Sequence, residues 1–97
     1  MKSTSEIIQR LSSMKTDLQQ QFGITDLGIF GSYVHEEQKP ESDIDVYVDY
    51  HETPSLLDIV DLENFLSDTL NEKVDVVPRE CIRPELEKYI LPEIIRI

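Results

Sequence analysis

The sequence predicts an α+β domain (α/β, two-layer): a small mixed β-sheet with helices packed against it, in the order αβ(α)βαβα. Three observations lead there. Short apolar runs at residues 27–30, 44–48 and 73–77 are set between longer segments whose apolar residues recur at helical spacing. The polar connection between the first two runs is short, which suits antiparallel strands, whereas the helix-length segment between the second and third permits a parallel crossover. At 97 residues the chain holds one such domain, 1–97, and no second core.

The elements follow in order. Ser3 to Gln21 reads as an amphipathic helix, because Ile7, Ile8, Leu11, Met14 and Leu18 share one side while Gln9, Arg10, Lys15 and Asp17 cover the other. Thr4 or Ser5 suits its start and Gly23 its end. Leu27 to Phe30, bounded by Asp26 and Gly31-Ser32, reads as a buried strand. Tyr33 to Ser42, polar and containing Pro40, is a turn of helix or a loop. Ile44 to Val48 alternates with the period of two of a strand. Ser55 caps a helix from Leu56 to about Leu70, apolar over so much of its circumference that one face packs on the sheet and another is left to meet something else. Asn71 and Glu72 turn the chain into a third strand, Lys73 to Val77, ended by Pro78. Pro84 suits the first turn of a last helix running to Tyr89 or Ile90, Pro92 stops it, and Ile94 to Ile97 is an apolar tail.

Composition narrows the function. A hydrophobic content of 39% with 30% charged residues argues against wholesale disorder. Met1 to Glu6 lacks the apolar stretch of a secretion signal, and no apolar run approaches the roughly 20 residues of a membrane span. The expectation is a cytoplasmic protein without membrane association. The single cysteine, Cys81, forms no disulfide within the chain and has no Cys/His cluster to make a zinc site. A net charge of −11 repels nucleic-acid phosphates, so direct nucleic-acid binding is disfavoured. The same charge suits a triphosphate whose approach is neutralised by divalent metal, or a basic protein partner in a hetero-oligomer.

The chemistry lies in Gly31-Ser32, then ten residues, then Asp43-Ile44-Asp45. Residues two apart on a strand point to the same side, so Asp43 and Asp45 project together while Ile44 faces the core. Carboxylates held side by side repel unless a cation sits between them, and magnesium takes one or two carboxylates with water and phosphate oxygens. Asp75, the acidic residue of Val74-Asp75-Val76-Val77, reaches the same place if its strand lies beside the second. Three aspartates can hold a two-metal pair that stabilises both the attacking and leaving oxygens of a phosphoryl displacement. Glycine at position 31 lets phosphate approach the backbone and Ser32 offers a hydroxyl.

Leu27-Gly28-Ile29-Phe30-Gly31-Ser32 through Ser42-Asp43-Ile44-Asp45-Val46 resembles the signature of the polymerase-beta-like nucleotidyltransferase superfamily, and the chain's size matches its minimal prokaryotic members. The resemblance covers nearly the whole chain. It implies the nucleotidyltransferase fold, ATP as substrate and Mg2+ held by Asp43, Asp45 and Asp75, with Asp75 also helping to deprotonate the attacking hydroxyl. Gly31, Ser32 and Ser42 become the nucleotide-binding candidates. Such minimal nucleotidyltransferases often act as antitoxins beside HEPN-domain toxins and transfer AMP to a tyrosine of the toxin. One departure stands out: His35-Glu36 occupies the place where family members often carry Arg-Gly, which bears on rate and substrate preference rather than on the metal site.

Two further readings compete with an enzyme that modifies a protein. One is an acidic antitoxin that neutralises a basic partner simply by covering it. The other is an antibiotic-modifying nucleotidyltransferase, disfavoured because the chain has no helical domain for a small acceptor. Tyr33, Tyr47, Tyr50 and Tyr89 read as core or interface packing residues ahead of base-stacking or modified ones, His51 as incidental, and Arg79, Arg83 and Lys88 as surface residues ahead of phosphate or partner contacts.

Overall fold

The computed structural model describes residues 4–31 and 44–97. Helix α1 spans Thr4–Phe22, strand β1 Ile24–Phe30, strand β2 Ile44–Tyr50, helix α2 Leu56–Leu70, strand β3 Val74–Pro78, helix α3 Pro84–Ile90 and strand β4 Ile95–Arg96. The turn of helix or loop expected over residues 33–42 lies outside the described residues.

The sheet runs in the order β3-β2-β1-β4. As the sequence suggested, β1 and β2 are antiparallel and β2 and β3 parallel, with α2 as the crossover. Strand β1 is longer than its apolar run because the pairing slips by one residue between Ile24 and Asp26. That slip lets the polar residues Thr25 and Asp26 belong to a strand, and Asp26 forms an ion pair with Arg96. The tail expected after Pro92 is a fourth strand: Gly28 pairs with Arg96 and Ile29 with Ile95, and Ile97 N–H donates to Leu27 O at 2.9 Å. Its close approach depends on Gly28, where a Cβ would meet Ile94 Cγ2 at 2.5 Å and the Ile95 carbonyl oxygen at 2.9 Å.

One face of the sheet carries most of the core. Leu27, Ile29, Ile44, Val46, Val48, Val74 and Val76 meet Ile7, Leu11 and Leu18 of α1 and Leu62, Leu66 and Leu70 of α2. The three α2 leucines recur every four residues, so one stripe of that helix is fully buried, and each leucine contributes about 1.5–3 kcal/mol. Helix α1 ends where Gly23 N–H donates to Gln19 O. Ser55 begins α2 with a reciprocal cap: its hydroxyl accepts from Asp58 N–H at 3.2 Å, and the Asp58 carboxylate accepts from Ser55 N–H at 2.9 Å. The other face is covered more thinly, by Ile82 and Ile94 over Tyr47, with Phe30, Val77, Ile90 and Leu91 around them.

Candidate active site

The strand directions bring three strand ends together. Strand β1 finishes with Phe30 at the edge where the antiparallel β2 and the parallel β3 begin. Phe30 pairs with Asp45, and Asp45 pairs with Asp75 across the parallel ladder. Partners in register on neighbouring strands share a face, and adjacent strands lie about 4.8 Å apart, so the two carboxylates leave the sheet side by side. Their neighbours Ile44, Val46, Val74 and Val76 turn the other way, into the core. The pleat therefore forces Asp45 and Asp75 onto the thinly covered face, where Asp45 is half-buried and Asp75 exposed.

Gly31 completes the arrangement. Its φ of 80° lies in the left-handed region, and a Cβ there would overlap the Asp45 carboxylate. Glycine is thus demanded by backbone conformation and by the carboxylate lying against it. Asp43, Ser32 and Ser42 lie outside the described residues. Among the described residues no group of three or more His, Cys, Asp or Glu is placed to hold a metal, and Asp45 and Asp75 form a pair. Adjacent anionic oxygens of this kind match the hard-ligand preference of magnesium, so the donor chemistry fits that ion.

The remaining candidates fall elsewhere. Tyr47 is fully buried beneath Ile82 and Ile94, as packing predicted, with the Arg96 guanidinium over its ring at 5.8 Å. Arg79 lies near the Tyr47 hydroxyl. That oxygen, and then Asp49 and Glu87, push the guanidinium pKa further above its ordinary value. The approach falls short of hydrogen-bond geometry, and the hydroxyl is left without a full partner. Tyr89 is 62% exposed on α3, outside the core, with Lys88 over its ring. Cys81 is an exposed free thiol in the turn Arg79–Cys81.

At the opposite end of the sheet a cleft of about 340 Å³ is lined by Tyr50, His51, Glu52, Pro54, Asp58 and Asp61, among others. The Tyr50 hydroxyl is buried without a hydrogen-bond partner. Burial first, then the charges of Asp58 and Glu63, push its pKa up to about 12. Sequence reasoning passed over this cleft because its walls come from the ends of α1 and β2 and the start of α2, with no shared motif.

A mixed sheet that holds an aspartate pair against a strand-ending glycine is the framework of a nucleotide-transferring enzyme. The family model described as a nucleotidyltransferase domain matches residues 11–97, and the chain belongs to this family as one of its minimal members. It is 44% identical to a provisionally named protein adenylyltransferase of Methanocaldococcus jannaschii, with all of both chains covered. It is 37% identical to the protein adenylyltransferase MntA of Thermococcus cleftensis, over 100% of this chain and 98% of the relative. Among solved structures, one described as a minimal nucleotidyltransferase superposes with a TM-score of 0.83 at 27% identity, covering 99% of this chain and 97% of the other. A chain from the complex of tri-AMPylated Shewanella oneidensis HEPN toxin with MNT antitoxin shares the fold, with a TM-score of 0.68 at 18% identity over 93% of this chain and 70% of that one.

Proposed function

We propose that this nucleotidyltransferase transfers AMP from Mg-ATP to a hydroxyl, a tyrosine of a HEPN-type partner protein, and so acts as that partner's antitoxin in the cytoplasm. The observation that carries the reading is the registered pair Asp45 and Asp75 beside Gly31 at one sheet edge. The protein adenylyltransferase relatives support the group transferred, and the AMPylated toxin complex supports the class of acceptor.

In this reading Asp43, Asp45 and Asp75 hold magnesium, which neutralises phosphate charge when bound. Gly31, Ser32 and Ser42 receive the triphosphate, with Gly31 allowing close backbone approach. The acceptor oxygen attacks the α-phosphorus, the bond to the β-phosphate oxygen breaks and pyrophosphate leaves. Asp75, the more exposed carboxylate of the pair, takes the hydroxyl proton as the acceptor arrives from solvent. His35 stands where an arginine is common in the family, and it donates to phosphate or partner either protonated or as a neutral N–H.

A second reading, a stoichiometric binder, draws on the net charge of −11 and on the apolar side chains that α2 leaves uncovered. The intact mass of a co-purified partner before and after Mg-ATP separates the two. Gain of AMP units with the wild type, and none with Asp43→Asn/Asp45→Asn, supports the transferase. Neutralisation by both forms with no mass gain supports the binder.

A further inference from the structure

We propose that the outward face of α2, with the cleft beside its first turn, is a docking surface for a basic amphipathic segment of a partner protein. Leu56 is 76% exposed, Leu57 73% and Val60 39%, all in the first two turns of α2, ahead of its buried leucines Leu62, Leu66 and Leu70. The first turn that presents them is held by the reciprocal cap of Ser55 and Asp58, so the ridge has a fixed shape. Exposed leucines in a capped first turn add nothing to the fold, because the face turned to the sheet already supplies the helix's core contacts. Exposed apolar surface of this kind marks an interface.

Charge selects the occupant. Helix α2 carries Asp58, Asp61, Glu63 and Asp68 and no lysine or arginine, and Glu52 adds to the rim of the cleft. A second copy laid on the same ridge sets like charges against one another in a chain whose net charge is already −11. A partner segment with one apolar and one basic face meets leucines with its apolar side and the carboxylates with its cations. The cleft gives one of those cations a definite seat, because Glu52, Asp58 and Asp61 are among the residues that line it.

The surface also lies away from the aspartates. Asp45 and Tyr50 sit near opposite ends of β2, about 16 Å apart along the strand, and α2 begins beyond the Tyr50 end. An occupant here leaves Asp45 and Asp75 open. The proposal requires neither catalysis nor nucleotide, so its failure leaves the transferase reading standing, and the converse holds.

The test uses the full chain and a synthetic helical peptide of leucine and lysine with one apolar and one basic face, beside a scrambled peptide of the same composition. Amide NMR shifts map the contact. The expected result is shifts concentrated over residues 50–61, at least tenfold weaker binding by the scrambled peptide, and a similar loss with Leu56→Ser/Leu57→Ser. The pair Glu52→Gln/Asp61→Asn, which leaves the ridge intact, is expected to weaken binding severalfold and flatten its salt dependence, and it decides the matter should the leucine variant fold poorly. Equal binding by both peptides, shifts centred on another face, or retained affinity in both variants overturns the proposal. So does sedimentation showing that the ridge joins two copies of this chain.

Discussion

The two faces of the sheet are built to different standards. One lies under α1 and α2, with Ile44, Val46 and Val48 of β2 fully buried between leucines of both helices. The other lies under a short C-terminal run of turns and one two-turn helix, and its small apolar cluster around Tyr47 shares the surface with Asp45, Asp49, Asp75 and Arg79. The thick face supplies the burial that a small domain needs. Because it does so, the thin face is free to hold adjacent carboxylates near water, where their charge costs far less than in a closed interior. Alternation along β2 divides the work residue by residue: Ile44, Val46 and Val48 stabilise the thick face, while on the thin face Tyr47 packs between the charged Asp45 and Asp49.

The comparison can be broken at several points. Asp45→Asn is expected to lower AMP transfer about 10²–10³-fold while leaving thermal stability unchanged or slightly raised, since it relieves repulsion from Asp75. Paired kinetics and calorimetry check this, and a large loss of stability would place Asp45 among the structural residues. Leu66→Ala on the thick face should do the reverse, costing about 2–5 kcal/mol in urea unfolding while the folded fraction keeps its activity. Gly31→Ala belongs to both classes. The left-handed backbone and the Asp45 carboxylate both resist a Cβ, so about 1–2 kcal/mol of stability and a clear loss of transfer are expected together.

The smallest effect lies at alkaline pH, at the end of the sheet away from the aspartates. The Tyr50 pKa is raised to about 12 in the folded chain, whereas an unfolded tyrosine titrates near 10. Above pH 10 the unfolded chain releases a proton that the folded one keeps, so stability is full below pH 10 and declines as pH rises towards 12. Tyr50→Phe should reduce that decline, measured as unfolding midpoint against pH, and an unchanged profile would show that the phenol does not drive it.

Much of this was legible in the sequence. Helical periodicity in α1 and α2 and alternation in β2 are repeated over enough residues to identify those elements, and α2 runs from Leu56 to Leu70 as its cap and apolar pattern required. Gly31, Asp45 and Asp75 were recognisable because each interrupts its surroundings: a glycine ending an apolar run, and acids within strands. Strand β4 was not legible, since two residues have no period and its identity comes from a ladder with β1 and the room left by Gly28. The polar start of β1 was hidden for a related reason, its Asp26 being partnered by Arg96 far along the chain.

The sequence by itself determined which residues face inward and which acids are available for chemistry, because side-chain alternation and helical spacing are local properties of the backbone. Only the tertiary structure decided which acids meet. Asp45 and Asp75 are thirty residues apart, and it is the parallel register of β2 and β3, set by the α2 crossover packing on the thick face, that places one beside the other.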